Sequence, residues 1–365
     1  QIGKTIRDIS KSTKIAGMSL DELNLKIGKA GRGFSQVGSW MKSHITLPVI
    51  AAGAGVVYAA NNFQKAVNEL GIATKTTGTE TLKDWVKLAR QIGMESDDSA
   101  TEAVEAMSVL GKAFRGAGVN VETLKASLDF ADATMLDNTI AAGILTKAMK
   151  GFGLEASKTR EVADVLANVY ATTKINMEEF GAAFRKSGVI AKQAGLGFKD
   201  FTAVLAKMVE GGVDASMAGT SLRQALGTLL EPESQQIKAM KKLGVGFNDL
   251  YIKTADGQRK LKPFLEIIDS FKKKGMTAAQ ALDIFGDRAG PALAALLDES
   301  NISLKEIRKG LDETGTAAKN AQARIEGLPG AFAELKSALE GVSLSIFGEG
   351  GAGKAFESLV RTITD

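Results

Sequence analysis

The sequence predicts an all-α protein with a multi-helix core, an internal duplication and at most a small β-hairpin. Apolar residues recur at spacings of three and four along most of the chain, which is typical of helices that bury one face. Only 5 prolines are present, so long helical stretches are permitted, while 40 glycines divide them. A hydrophobic content of 44% over 365 residues is sufficient for a sizeable core. We therefore expect many short and medium-length helices that need packing to be stable.

The duplication lies within residues 97–226. When this stretch is shifted by 77 positions, apolar residues align with apolar residues and an acid aligns with an acid. The aligned pairs are Val119 and Leu196, Leu124 and Phe201, Leu128 and Leu205, Asp137 and Asp214, Ala141 and Ala218, Leu145 and Leu222, and Ala148 and Ala225. This period is too long for a solenoid repeat and predicts a duplicated subdomain of three to four helices. A chance match in a sequence rich in Ala, Leu and Gly is the alternative.

Two helix faces and one helix start follow from residue spacing. One face comprises Ala100, Ala103, Val104, Met107, Leu110 and Phe114. The other comprises Val121, Leu124, Leu128, Ala131 and Met135. Asn176 with Glu179 three residues later predicts a capped helix start. We expect these faces to form core rather than a binding surface.

The residue types present exclude several functions. No cysteine occurs, which excludes disulfide-stapled domains, thiolate metal sites and cysteine catalysis. The single histidine, His44, cannot form a metal site of several histidines. The glycine-rich run 348–355 is close to a nucleotide-binding loop, but Ala355 replaces the hydroxyl residue that would hold magnesium. We therefore predict no cofactor, no metal site and no enzymatic activity.

Residues 1–44 form a basic helical or linker arm, with eight Lys and Arg against three Asp and Glu. The whole chain has a net charge of +4, so the remainder is almost neutral. Such an arm suits contact with phosphate or anionic lipid, and a solvated basic linker is the alternative. Because the chain begins with Gln1 rather than Met, we expect it to be part of a longer protein.

Residues 45–62 form a hydrophobic segment that is rich in Ala and Gly. The charge-free run extends from Ile45 to Gln64, about long enough for a helix to cross a bilayer, although Pro48 interrupts it. Small residues that would let helices approach closely recur every four positions, at Ala51, Gly55 and Ala59. Two interpretations remain: a buried or self-associating helix, or conditional insertion into a membrane.

Three core positions carry specific predictions. Gly219 is expected to permit a close contact between helices, and Thr220 is expected to cap a helix. Leu222 lies on a predicted buried face of the repeat. Ser221 is not expected to be a nucleophile, because this part of the chain has no histidine to activate it.

The C-terminal half has one interruption of the helical pattern. Residues 250–253 and 259–261 flank an Asp-Gly pair, which predicts a small β-hairpin. Further on, one helix is expected to end at Gly286 and another to begin at Pro291. A narrow apolar seam that suits pairing with another copy of itself follows at Phe332, Leu335, Leu339, Val342 and Ile346.

Several longer segments occur in an order that matches a known family. They read SHITLPVIAAGAG, FQKAVNELGIATKTTG, LKDWVKLARQIG, EAMSVLGKAF, ADVLANVYATTKINMEEFGAAFRKSGVIAKQAG, MVEGGVDASMAGTSLRQAL and IFGDRAGPALAALL. The ordered set resembles the core region of phage tail tape measure proteins and covers roughly residues 63–297. No single short motif is diagnostic. The acidic run Glu95–Ser99 departs from the family pattern, which has Thr-aromatic-Ser-Ala there.

The resemblance implies a structural protein that occupies the tail lumen, sets tail length during assembly and is released with the DNA at infection. The partners it implies are further copies of the chain as a homo-oligomer in the lumen, the tail tube protein, tail tip or baseplate hub proteins, tail assembly chaperones, and DNA bound non-specifically. The implied locations are the virion tail lumen, the host cytoplasm during assembly and the host cell envelope on infection. The alternative function is a membrane-active module that inserts in the host membrane to assist DNA passage.

The expected domain organisation follows from these segments. After the arm and the hydrophobic segment, a tape measure core domain is expected at 63–300, beginning at Phe63. Residues 301–365 are expected to form a helical tail with a glycine-rich hinge.

Overall fold

The computed structural model describes residues 48–95, 98–116, 119–173, 175–253, 259–298, 302–325 and 340. Within these ranges the chain forms fifteen α-helices, one short 3-10 turn at Ala156–Lys158 and one two-stranded hairpin. The prediction of an all-α protein with a small hairpin is therefore confirmed.

The helices follow one another through short connections. Their bounds are α1 Pro48–Thr74, α2 Glu80–Glu95, α3 Ala100–Phe114, α4 Val121–Thr134, α5 Asn138–Phe152, α6 Thr159–Thr172, α7 Met177–Gln193, α8 Phe198–Glu210, α9 Ala215–Leu230, α10 Ser234–Lys242, α11 Phe247–Leu250, α12 Phe264–Lys273, α13 Ala278–Leu297, α14 Leu304–Gly310 and α15 Thr316–Ile325. The strands β1 Tyr251–Lys253 and β2 Arg259–Leu261 lie between α11 and α12.

The hairpin is antiparallel. Its register pairs Tyr251 with Leu261, Ile252 with Lys260 and Lys253 with Arg259. Tyr251 and Leu261 are the buried pair, and the Tyr251 hydroxyl donates a hydrogen bond of 2.6 Å to the Leu229 carbonyl. The inward side of this small ribbon is thus attached to the end of α9.

The chain divides into two units, one containing α1 to α3 and the other comprising Ala117–Ala323. In the first unit α1 and α2 both pack on α3. This division lies inside the stretch 63–300 that the sequence predicts as one domain. Helix α1 also runs without a break across the expected boundary at residue 62. The predicted domain boundaries themselves stay predictions.

The second unit is built as two layers of helices. One layer places α5, α7, α9 and α13 side by side, and the other places α4, α6, α8 and α14 side by side. From α4 to α9, helices two apart in the chain are neighbours within a layer, while consecutive pairs such as α4 and α5 or α8 and α9 join the layers. The later helices α13 and α14 are added to the edges, next to α9 and α8. Each helix buries one face between the layers, which is the amphipathic arrangement that the residue spacing predicts.

The helix bounds agree with the predicted duplication. A shift of 77 positions moves the first residues of α3, α4 and α5 onto the first residues of α7, α8 and α9. Successive helices from α2 to α10 begin 17 to 21 residues apart, so the chain has an even rhythm of helix and turn.

The predicted burial is wrong at both ends of the face that runs from Val121 to Met135. Val121 is 47% exposed and Met135 is 70% exposed, whereas the middle of the same face is buried. Val121 is the first residue of α4, and Met135 follows the helix in the left-handed conformation with φ 55°. At Met135 the backbone has left the helix, so helical spacing no longer determines the direction of that side chain.

Side-chain caps explain several helix starts. Ser99 with Glu102, Asn120 with Thr123, Thr277 with Gln280 and Ser303 with Glu306 form reciprocal capping boxes. The Asn176 side chain accepts hydrogen bonds from the backbone N–H groups of Glu178 and Glu179, as the predicted start of that helix requires.

Several predicted features lie outside the described residues. They are the basic arm 1–44 with His44, the hairpin turn 254–258, the apolar seam from Phe332 to Ile346 and the glycine-rich run 348–355. Among the helices that the structure describes, none combines the length and the apolar character required to span a membrane.

The start of α15 is held by side chains of α6. The Asp164 carboxylate accepts hydrogen bonds from the backbone N–H groups of Gly315, at 2.8 Å, and Ala317, at 3.1 Å. The Asn168 amide donates to the Glu313 carbonyl at 3.1 Å. Since Asp164 is buried and 151 residues separate it from Gly315, this is a tertiary cap that attaches α15 to the second layer.

We expect Asp164→Ala to destabilise the start of α15. The change leaves two backbone donors without their acceptor, a loss of about 1–2 kcal/mol for a helix cap. Amide hydrogen exchange of residues 315–325 should accelerate. Glu161→Ala, on an exposed site of the same helix, is the matched control and should leave the exchange unchanged. Equal exchange rates in the two variants would contradict the capping role.

Candidate functional site

Among the residues that the structure describes, no group of three His, Cys, Asp or Glu could hold a metal ion. The features of this part of the chain that could serve a function are therefore surfaces and contacts between helices. They comprise the predicted interaction residues and several contacts that have no local signal in the sequence.

Helices α5 and α7 approach each other through glycines. A Cβ atom on Gly181 would lie 2.9 Å from Ile144 Cγ1, and one on Gly188 would lie 3.2 Å from the Cα of Gly151. Both pairs are separated by 37 residues, so the two helices run parallel. In the first unit Gly111 meets Thr74 at the same separation, with only 2.5 Å between the added Cβ and Thr74 Cγ2.

The contact of Gly188 with Gly151 and the contact of Gly111 with Thr74 are related by the predicted repeat. The shift of 77 positions carries Thr74 onto Gly151 and Gly111 onto Gly188. The packing of α3 on α1 in the first unit is thus reproduced by the packing of α7 on α5 in the second. Small residues occur at these points because a larger side chain would separate the helix backbones.

Gly219 lies where α9 comes closest to α7. A Cβ atom at this position would be 2.6 Å from the Cα and 2.8 Å from the Cβ of Ala183. Three residues further along α9, Leu222 is fully buried. The two residues lie on the packed side of α9, Gly219 at its contact with α7.

The capping role predicted for Thr220 is wrong. Thr220 lies inside α9, which begins at Ala215, and its hydroxyl donates a hydrogen bond of 3.4 Å to the Ser216 carbonyl. A residue in the second turn of a helix bonds back to the previous turn because the terminal N–H groups are out of its reach. The neighbouring Ser221 hydroxyl donates to the Arg288 carbonyl on α13 at 2.8 Å.

Gly286 breaks α13. Its backbone has φ 76° and ψ 174°, which lies outside the helical region. A Cβ atom on Gly290 would be 2.8 Å from the Cα of Leu282, whereas residues eight apart on a straight helix are separated by about 12 Å. The chain therefore doubles back at Gly286. Helical geometry resumes before Pro291, which lies inside α13 rather than at the start of a new helix.

The remaining predicted interaction residues lie in α1. Phe63 is 2% exposed, and the Arg90 guanidinium lies 5.3 Å from the centre of its ring. Pro48, Ala51, Gly55 and Ala59 belong to the first half of α1, where the structure describes the backbone but not the side chains. The self-association predicted for these small residues stays a prediction.

Sequence reasoning missed an aromatic cluster that joins the two layers. Phe152 of α5 packs edge to face on Phe201 of α8 at 5.0 Å between ring centroids, and Phe184 of α7 lies 5.1 Å from the same ring. Phe198 completes the group, at 5.6 Å from Phe152 and 5.7 Å from Phe184. These rings stand at the level of the glycine contact between α5 and α7, because Phe152 and Gly151 are adjacent.

A group of charged side chains attaches α14 to α8. Arg308 pairs with Asp200 and Asp312, and Lys199 lies 2.8 Å from Asp312. The hydrogen bond from Lys199, followed by that from Arg308, lowers the pKa of Asp312 below its ordinary value of 3.8. This second polar attachment lies, like Asp164, between the helical core and the segment 302–325.

Comparison with known proteins connects this architecture to phage tails. The family model described as phage-related minor tail protein matches residues 83–290, more than half of the chain. The chain therefore belongs to this family. No solved structure matches it.

Two relatives make the relation more specific. The chain is 27% identical over 349 residues to the tape measure protein of Pneumococcus phage Dp-1, covering 90% of this chain and 30% of the relative. It is also 27% identical over 349 residues to the probable tape measure protein of Escherichia phage P2, covering 91% of this chain and 40% of the relative. The resemblance to tape measure proteins is thereby confirmed, and the chain spans less than half the length of each relative.

We expect Gly219→Ala to destabilise the second unit by about 1–3 kcal/mol, because the new methyl group overlaps Ala183. Gly227→Ala is the matched control in the same helix, since nothing lies within 4 Å of the Cβ it would add. This control should stabilise by about 0.5–1 kcal/mol through helix propensity. Urea unfolding measures both changes, and a pair of variants with equal stability would show that α9 does not need this close approach.

The Asp312 attachment should depend on pH. A carboxyl group whose pKa is lower in the folded than in the unfolded chain stabilises the fold above the unfolded pKa, and this contribution is lost as the pH falls through the folded pKa. We therefore expect the difference in free energy of unfolding between the wild type and Asp312→Asn to shrink as the pH falls below 3.8. Asp283→Asn, which removes one carboxylate from an exposed site of α13, is the charge-matched control. A constant difference for Asp312→Asn would contradict the ion group.

Proposed function

We propose that this chain is the folded core segment of a phage tail tape measure protein and has a structural role in the tail. The observation that carries the proposal is the match of nearly the whole chain to proteins of that name. The two-layer helical core supports a structural role, since its buried side chains pack one helix on another.

The finer roles that we propose concern assembly. The full protein occupies the tail lumen as several copies, sets the length of the tail and leaves with the DNA at infection. Its partners are the tail tube protein, the tail tip or baseplate hub proteins, the tail assembly chaperones and DNA bound without sequence preference. It resides in the host cytoplasm before assembly and in the virion tail afterwards.

Insertion into the host cell envelope is the alternative for the hydrophobic segment 45–62. It rests on the charge-free sequence of that segment, so it stays a prediction.

The core adds little to the measured length while it is folded. A stretch of 32 residues such as 121–152 would extend about 48 Å as one helix, but here it forms α4 and α5, which pack on each other. We infer that other parts of the full protein do most of the measuring and that this segment is an assembly module.

An in-frame deletion of residues 121–152 in the full-length phage protein tests this role. The deletion removes two helices, one from each layer, and should prevent tails from forming. Electron micrographs of particles from the mutant phage provide the measurement.

Deletions of equal length elsewhere in the full protein are the control, and they should shorten tails smoothly. If the deletion of 121–152 instead yields complete tails that are shorter by about 1.5 Å per residue, the core is extended in the tail and the module proposal is wrong.

A further inference from the structure

Beyond residues 1–44 the chain is almost neutral overall, but it contains one strongly basic stretch. Residues 234–274 carry ten Lys and Arg against four Asp and Glu. This stretch comprises α10, α11, the hairpin and α12. Its local excess of six positive charges exceeds the net charge of +4 of the whole chain.

The fold brings two of its lysine-rich helix ends together. Helix α10 ends with Lys241 and Lys242, and α12 ends with Lys273 followed by Lys274. The Lys274 side chain lies over the turn after α10, with its Cδ 3.9 Å and its Nζ 4.0 Å from the position of a Cβ on Gly244. We call Lys241, Lys242, Lys273 and Lys274 the lysine cluster.

Both helix ends are built in the same way. Gly244 and Gly275 adopt left-handed conformations with φ 79° and 69°. After each glycine the next backbone N–H returns to the helix, from Val245 to Met240 at 2.9 Å and from Met276 to Phe271 at 3.1 Å. These bonds satisfy terminal carbonyls of both helices, so the ammonium groups are not required for that purpose.

The lysine cluster has no counter-ion within the part of the chain that the structure describes. All four side chains are exposed, and none makes a hydrogen bond or an ion pair with another described residue. The helix dipole accounts for a cation at each helix end. It does not account for two such ends side by side, because like charges closer than a Debye length of about 8 Å repel one another.

The residue type indicates the kind of anion. Protein–protein interfaces are depleted in Lys and enriched in Arg, whose planar group binds carboxylates in a bidentate manner. Lys binds phosphate as a flexible point charge and releases condensed counterions when it does so. A cluster of four Lys without Arg therefore suits a row of phosphates better than an acidic protein surface.

We propose that the lysine cluster binds the phosphate backbone of a DNA duplex without reading its sequence. The four side chains are exposed at two helix ends, so the contact is electrostatic and depends steeply on salt. The inference gives a place in the core to the DNA contact proposed above, but its charge argument stands whether or not the chain measures tails.

The test is the binding of the full 365-residue chain to a fluorescent DNA duplex of mixed sequence, followed by anisotropy over a series of salt concentrations. The cluster variant combines Lys241→Gln, Lys242→Gln, Lys273→Gln and Lys274→Gln. The matched control combines Lys147→Gln, Lys150→Gln, Arg185→Gln and Lys192→Gln, which removes the same charge from exposed positions of α5 and α7. The basic arm 1–44 is retained in all three proteins, so its contribution cancels.

We expect the cluster variant to bind at least about tenfold more weakly at low salt. The slope of log affinity against log salt should fall by about 3–4, because each phosphate that a lysine neutralises accounts for about 0.9 of that slope. The control should keep a slope close to that of the wild type. Matching circular dichroism and melting temperatures establish that the variants are folded.

Three outcomes would overturn the proposal. An unchanged slope in the cluster variant removes the site, and an equal reduction in the control assigns the effect to net charge alone. Competition by polyglutamate as strong as that by unlabelled duplex at equal charge assigns the surface to an acidic protein instead. These measurements use purified protein, so they can fail while the deletion experiment on tails succeeds, and the reverse also holds.

Discussion

The fold depends on helices that approach closely at small residues. Gly151 and Gly188 face each other between α5 and α7, and Gly219 faces Ala183 between α7 and α9. Each contact lets the backbones meet and thereby keeps the helices of one layer side by side, while the larger apolar side chains fill the space between the layers. The same separation of 37 residues places Gly111 against Thr74 in the other unit, so one packing rule serves both units. At these positions glycine therefore contributes to packing rather than to flexibility.

The sequence predicts the elements well because their signals are local. Hydrophobic spacing places the helices, the Asp-Gly pair marks the hairpin, and Gly286 marks the break in α13. Errors arise at helix ends, since Met135 and Thr220 are governed by where the backbone enters and leaves the helix rather than by spacing alone. The layer order was not predictable, because the neighbours of a helix within a layer are not the next helices in the chain and are selected by contacts along its whole length.

The polar attachments illustrate a second limit of sequence reasoning. Asp164 and Gly315 are 151 residues apart, and Arg308 and Asp200 are 108 apart, so no local pattern pairs them. The lysine cluster was missed for a different reason. Its charge is visible in the sequence, but the net charge of residues 45–365 is close to zero because acidic residues elsewhere balance it. Its two halves are brought together in the fold, where the Lys274 side chain after α12 lies over the turn after α10. Charge is therefore best examined over segments as short as single helices before a chain is described as neutral.

Compactness and length measurement make opposite demands on the same residues. As one continuous helix, Ala117–Ala323 would extend about 300 Å, whereas a compact unit of that size has a radius of gyration of about 17 Å. Conversion to the extended form would require left-handed residues such as Gly153 and Gly244 to become helical, which releases the hydrogen bonds that end α5 and α10. It would also expose the aromatic cluster and the buried faces of both layers, which costs roughly 25 cal/mol of free energy for each Å² of apolar surface. Only a surrounding surface that covers those faces could compensate for this cost. In free solution the compact form is therefore the stable one, and any extension of this segment depends on what encloses it.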